Sequence, residues 1–357
     1  MDTAENVLFD EIGWRDPLTG RPLEAIVAAR APSGVPLVGA LRVSGTDEGY
    51  PIVDAVARLT PELALRFGDW LAPFGLKPAG SSGSAGRSFQ DVSTVDSFGF
   101  QWTFNREMRS EADLQWRVAE RFGFGESDFR GRLALDAGAG AGDQSRWMIQ
   151  RGASVVSVDL SQAIDLVSAK LRMHARWVGV QADVTNLPLQ PGRFDVVYCE
   201  GVLMVTRDAK LAIDEFARVL RPGGFLLATH YLVPRSLRGR LRLKLVEAVR
   251  NRLKKRERYE NLWITGTLAA LAYVPVLGWA VRRSGLAMFS DRMPSFRTTW
   301  TNTHDSYGSH AFQRYLPEEE FRGLFEGNDG IWTIHRFATD AIAVRRSTAP
   351  SRAHGAA

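Results

Sequence analysis

The stretch Leu135-Asp136-Ala137-Gly138-Ala139-Gly140-Ala141-Gly142 decides how this chain folds. It completes a short apolar run, Leu133-Ala134-Leu135-Asp136, and leads into a helical pattern over 144–150. Glycines at a strand-to-helix turn let the backbone approach a ligand where a side chain would collide. Outward from this turn, strand-like and helix-like runs alternate. Strands are expected at 155–159, 177–181, 194–198 and 225–230, and helices at 163–173 and 211–220. Arg221-Pro222-Gly223-Gly224 ends the last of these helices. Such alternation predicts a parallel sheet covered on both faces. Two late runs, 331–337 and 341–344, are separated by Ala338-Thr339-Asp340 and predict an antiparallel hairpin.

The glycine spacing narrows the ligand. A dinucleotide fingerprint, G-x-G-x-x-G, would place its third glycine at 143, where this chain has Asp143. Asp136 ends its strand beside the turn, and a carboxylate there would repel a pyrophosphate. It suits a ligand with an ammonium and a sulfonium and no phosphate, as S-adenosylmethionine (SAM) is. Asp159, at the end of the second strand, can accept the ribose hydroxyls, and Asp183, just past the third, can accept the adenine amino group. Three acids at successive strand ends line the crevice where open α/β sheets bind ligands. The cofactor set read here is Asp136, Gly138, Gly140, Gly142, Asp159, Leu160, Asp183, Val184, Glu200 and Trp102.

These residues resemble the class I SAM-dependent methyltransferases, especially those acting on small molecules, quinones and glycans. Asp136-Ala-Gly-Ala-Gly-Ala-Gly142 looks like that family's first motif. Phe194-Asp-Val-Val-Tyr-Cys-Glu-Gly-Val-Leu203 resembles its fourth, and Glu215-Phe-Ala-Arg-Val-Leu-Arg-Pro-Gly-Gly224 the approach to its fifth strand. The resemblance covers residues 95–232 and the final hairpin, and implies a Rossmann-like α/β sheet. It departs at Met204 and Val205, where many relatives carry two histidines. Earlier, Asp16-Pro-Leu-Thr-Gly-Arg-Pro-Leu23 and Tyr50-Pro-Ile-Val-Asp-Ala-Val-Ala-Arg-Leu59 look like a small zinc-ribbon domain that precedes some methyltransferases. Cysteines usual at the positions matching Asp16 and Thr19 are lacking, which implies that fold without its metal.

The chain has 357 residues, one cysteine, Cys199, and a net charge of +5. A single cysteine excludes a disulfide framework and a cysteine-rich zinc site within one chain. The start, Met1-Asp2-Thr3-Ala4-Glu5-Asn6, lacks the basic and apolar regions of a secretory signal. A cytoplasmic location, peripheral at the membrane, is expected. The expected division is a zinc-ribbon-like β-rich unit at 1–75, a linker at 76–94 and the SAM-binding core at 95–234. A helical lid insertion at 235–300, a substrate loop and sheet end at 301–346, and a tail at 347–357 complete it.

Eleven Lys and Arg between Arg235 and Arg258, with Leu241, Leu245, Val249 and Leu253 at helical spacing, predict a basic amphipathic helix. It suits an anionic membrane or an anionic substrate. Residues 262–281 carry no charge, but Gly266, Pro275 and Gly278 favour two short lid helices over a membrane span. The polar, aromatic stretch 298–310 reads as a substrate-facing loop. It supplies the base candidates His304, Asp305 and His310, joined by His230 at the end of the fifth strand. The expected activity is methyl transfer from SAM to an oxygen or nitrogen of a small-molecule or glycan-like acceptor, in the biosynthesis of a secondary metabolite or glycan. The rivals are an RNA nucleobase methyltransferase, which the missing zinc ligands disfavour, and a non-catalytic SAM-binding scaffold. The sequence leaves the oligomeric state open.

Overall fold

Alternating apolar residues in 23–59 build β1 (Leu23–Arg30), β2 (Pro36–Val43), β3 (Glu48–Val53) and β4 (Val56–Arg58). The short β5 (Lys77–Pro78) follows. The nearly continuous apolar runs of the middle form β6 (Leu133–Ala137), β7 (Ser154–Val158), β8 (Trp177–Gln181), β9 (Phe194–Cys199) and β10 (Leu220–Thr229). Near the end of the chain come β11 (Trp332–Ala338) and β12 (Ala341–Arg346). This computed structural model describes residues 7–81, 109–253, 258–289, 295–307, 313–325, 331–338 and 340–347.

All these strands join one sheet, in the order β1-β2-β3-β4-β8-β7-β6-β9-β10-β12-β11, with β5 on β3. From β8 to β10 every pairing is parallel. β12 then pairs antiparallel with both β10 and β11, giving the expected hairpin. The parallel run with its final antiparallel pair is a Rossmann-like sheet. Its first strand in sequence, β6, lies centrally between β7 and β9, so chain direction across the sheet reverses beside the glycine turn. Ligands of such sheets bind at that switch point.

The sheet continues through the expected boundary at residue 75. β4 pairs in parallel with β8, matching Val56 with Gly179 and Arg58 with Gln181. Gly179 has no room for a side chain there, since a Cβ would fall 2.5 Å from the Trp177 ring. The linker expected from residue 76 is corrected at its start: Lys77 and Pro78 pair with Glu48 and Gly49. The rest of that linker, 82–94, lies outside the described residues. Asp16, one of the two positions at which the expected zinc-ribbon pattern lacks its cysteine, caps its own turn. It accepts hydrogen bonds from the Thr19 hydroxyl (2.5 Å) and the Tyr50 hydroxyl (2.8 Å).

Past β10, helices span Leu237–Leu253, Arg258–Leu271, Leu277–Ser284 and Phe296–Tyr307. One expectation is corrected here. The stretch read as a loop over 298–310 is helical up to Tyr307, with Thr299, Thr303 and Tyr307 turned inward at spacings of four. On the basic helix, Leu241 and Leu245 do not pack inward. Val246, Arg250 and Leu253 are the buried residues, and the leucines face solvent.

Candidate active site

The glycine turn ends β6 and feeds the helix Asp143–Gln150. Gly138, Gly140 and Gly142 all have positive φ, a conformation that penalises other residues. At Gly138 a Cβ would fall 2.1 Å from Val202 Cγ2, so the turn and the β9 end interlock only with glycine. The Gly140 N–H donates to Asp159 Oδ2 at 2.9 Å, while Asp159 Oδ1 accepts from the Ser161 N–H and hydroxyl. Burial raises the Asp159 carboxyl above its usual range, against these bonds. Asp183 Oδ1 accepts in the same way from the Thr185 N–H and hydroxyl, both at 2.8 Å.

These strand ends open on a cavity of about 580 Å³, within the range of small-molecule sites. Gly138, Gly140, Asp159, Leu160, Asp183 and Val184 form one wall, and Glu200 lies on it too. The same cavity is lined by Tyr231 and Tyr315, stacked with ring centroids 5.4 Å apart, and by Asn302 and Asp305 of the helix Phe296–Tyr307. Met204, Met288 and Phe289 add apolar wall.

Two expected cofactor residues stand behind this wall. Asp136 is buried beneath the turn and accepts a 2.5 Å hydrogen bond from Ser145, which also pairs with Ser157. Burial, reinforced by the Asp159 and Glu200 carboxylates, pushes its carboxyl up to about 7 despite the Ser145 bond. Gly142 precedes the helix Asp143–Gln150, where a Cβ would fall 2.9 Å from Val167. Trp102 lies outside the described residues.

Glu200 does not stand alone. Its Oε1 accepts from Arg117 and Arg121, both at 2.7 Å, and its Oε2 from the Tyr198 hydroxyl at 2.7 Å and Gln144 at 3.3 Å. Burial alone would raise its carboxyl. The guanidinium groups of Arg121, Arg117 and Arg109 outweigh this and hold it well below the usual carboxylate range. All three arginines line the cavity. Sequence reading missed them, though Arg117 and Arg121 stand four apart, on the helix Glu111–Val118 and the turn that follows it.

Arg58 was missed as well. It is buried, donates to Asp165 (2.5 Å) and to Gln181 Oε1 (2.6 Å), and Gln181 in turn donates to the Leu160 carbonyl (3.0 Å). A side chain from β4 thus holds cavity wall around Leu160. The signal was one arginine in an otherwise apolar strand, Val56-Ala57-Arg58-Leu59.

Of the three base candidates among the described residues, one is on the cavity wall. Asp305 lines it. His230 is corrected: its Nδ1 donates to the Tyr231 carbonyl at 2.9 Å and its ring packs on Phe321, behind the wall. Burial lowers its pKa, so the ring is neutral near pH 7. His304 is corrected too. It is buried, off the cavity wall, with Nδ1 3.3 Å from the Thr265 hydroxyl of the helix Arg258–Leu271. His310 lies outside the described residues.

Residues 135–228 match a family model described as a methyltransferase domain. The chain is 32% identical over 123 residues to a demethylmenaquinone methyltransferase of Clavibacter sepedonicus, covering 34% of this chain and 49% of that protein. It is 36% identical over 100 residues to a ubiquinone biosynthesis O-methyltransferase of Pseudomonas paraeruginosa, covering 26% and 42%. The chain therefore spans half or less of the length of these two curated relatives. Among solved structures, a phosphoethanolamine N-methyltransferase 2 of Haemonchus contortus, in complex with SAM, is 24% identical. It covers 47% of this chain and 41% of that one, with a TM-score of 0.36. The segment that matches the methyltransferase-domain model, 135–228, holds the glycine turn, Asp159, Asp183 and Glu200.

Proposed function

We propose that the chain transfers a methyl group from SAM to an oxygen or nitrogen of a small-molecule or glycan-like acceptor held under the lid, as a step in the biosynthesis of a secondary metabolite or glycan. One observation carries this reading: a single cavity is lined both by Gly138, Gly140, Asp159 and Asp183 and by Asp305, Tyr231 and Tyr315. Its volume suits one cofactor and a modest acceptor.

The residues present fit the cofactor. A Cβ at Gly138 would meet Val202, so only glycine lets the turn close on the end of β9 beside the cavity. Asp159 is placed for the ribose hydroxyls and Asp183 with Val184 for the adenine edge. Asp159 and Asp183, carboxylates on the cavity wall, favour a cationic, phosphate-free ligand. Arg109 and Arg117 supply positive charge for the carboxylate of the methionine end, a role in which Glu200 serves by holding Arg117 and Arg121. When bound, SAM supplies a methyl group on a sulfonium, which is already a good leaving group.

The chain's own residues then align and desolvate the acceptor. Positioning of this kind is worth about 7–11 kcal/mol. Met204, Met288 and Phe289 exclude water. Asp305 takes the proton of an acceptor hydroxyl or amine. Burial raises the Tyr231 and Tyr315 hydroxyls, so they stay protonated and serve as donors that orient the acceptor. In the first unit, the Asp16–Thr19–Tyr50 hydrogen bonds stand in for the metal of a zinc-ribbon ancestor.

The test is turnover with labelled SAM across candidate quinols, phenols and sugars, on wild type and Asp305→Asn. Transfer to one of them, slowed roughly 10²–10⁴-fold in the variant at unchanged SAM affinity, is the expected result. SAM binding with no product from any acceptor would favour a scaffold. Methylation of RNA alone would favour the nucleobase reading.

A further inference from the structure

The lid's outer surface is unlike the rest of the molecule. Residues 235–300 hold fifteen Lys and Arg against four Asp and Glu, a net of +11; the whole chain carries +5, so all other residues together carry −6. The same segment holds ten of the fifteen exposed large apolar side chains among the described residues. On the helix Leu237–Leu253, Leu237, Leu241 and Leu245 recur every four residues along one solvent-facing stripe. Arg238, Arg240 and Lys244 are exposed on the same helix. Its inward side is already used, by Val246, Arg250 and Leu253. On the neighbouring helix Arg258–Leu271, Trp263 is 80% exposed, while Asn261, Thr265 and Ala269 face inward. Beyond it, Val276 is 88% exposed, and Trp279 is exposed on the next helix.

We propose that the lid, through Leu237, Leu241, Leu245 and Trp263 and the cations beside them, docks on the surface of an anionic lipid bilayer. A monomeric soluble surface rarely gathers this much exposed apolar area in one segment. An amphipathic helix with lysine and arginine flanking a leucine stripe lies in the headgroup region, with its apolar face in the acyl boundary. Tryptophan prefers that same depth. Contact is superficial, since no helix among the described residues is long and apolar enough to cross a membrane. Nucleic acid would match the charge but offers nothing to three leucines on one stripe, so the bilayer is the better partner. Docking and cavity share an element, because Arg242 of the basic helix lines the cavity.

The test uses the full chain and vesicles of phosphatidylcholine, alone or mixed with phosphatidylglycerol, read by co-sedimentation. Binding to the mixed vesicles only, weakened by added salt, is expected. Each cation at such a surface strengthens binding by about fivefold. The pair Arg238→Gln and Arg240→Gln therefore weakens it by roughly 25-fold. Trp263→Ser combined with Leu241→Ser lowers it further at any salt. All four residues are exposed and outside the cavity wall, so melting temperature and SAM affinity stay unchanged, which separates this proposal from the catalytic one. Equal binding to neutral and anionic vesicles, or none to either, overturns it. So does self-association abolished by Trp263→Ser, or RNA affinity without vesicle affinity.

Discussion

Replacing Glu200 by Gln separates two accounts of the cavity. In the structure the carboxylate is the shared counter-charge of Arg117 and Arg121, each 2.7 Å away. The Arg121 side chain is 6% exposed, and among the ion pairs found its carboxylate partner is Glu200. Arg117 keeps Asp113 at 2.8 Å after the change. Breaking a buried pair by removing one partner costs about 3–5 kcal/mol. With Arg117 still partnered, roughly 2–4 kcal/mol is expected here. For a chain of this size that lowers the melting temperature by about 3–5 °C. The sign with pH follows from the depressed carboxyl. Its stabilisation is present above its ordinary value of 4.5 and fades as pH falls below it, so wild type and variant converge in acid. Adding Arg121→Met to Glu200→Gln removes the stranded charge and recovers part of the loss. Thermal melts at pH 7.5 and pH 4, with SAM titrations alongside, read all of this. An unchanged melting temperature together with a hundredfold loss of SAM affinity would refute the scaffold role and make Glu200 a direct ligand.

Other outcomes follow from the same geometry. Because the Asp136 carboxyl is raised to about 7 from an ordinary 3.8, the folded state holds a proton that the unfolded state releases, and stability falls as pH rises between those values. Asp136→Asn flattens that slope, measurable by urea melts from pH 5 to pH 8. Gly138→Ala forces a positive φ on a residue with a Cβ and drives it into Val202. It costs about 2–5 kcal/mol and abolishes detectable SAM binding by calorimetry. Arg58→Met removes the hold on Gln181 and hence on the Leu160 carbonyl. It weakens SAM about three- to tenfold, while Arg58→Lys, which keeps the charge but not the fork, rescues only partly.

The central sheet was legible because its strands are short apolar runs with glycine punctuation, a local signal. Strand positions, the parallel order and the final hairpin follow from it. What the sequence hid were the relations between distant segments. Nothing local tells Val56-Ala57-Arg58 to add to the edge at β8, since an edge-to-edge pairing is decided by partner and not by pattern. The same holds for Arg117 and Arg121 meeting Glu200 across some 80 residues. Asp136 and the histidines failed for another reason. A polar residue at a strand end marks the rim of the crevice, but rotamer and depth decide whether it faces the ligand. Asp136 turns to Ser145, His230 to its neighbour's carbonyl, and His304 into the lid. The polar run at 298–307 read as a loop because its threonines and aromatics lack a clear apolar stripe; buried Thr299 and Thr303 make their hydrogen bonds within the lid.

The central claim is that the crevice beside the glycine turn takes a cationic nucleoside without phosphate. Isothermal titration of the full chain with SAM, NAD and ATP in turn tests it most directly. The account predicts one-to-one uptake of SAM, no heat from either phosphate-bearing nucleotide, and at least tenfold weaker SAM binding in Asp159→Ala. Uptake of NAD or ATP as tight as that of SAM, or SAM affinity indifferent to Asp159, would contradict it.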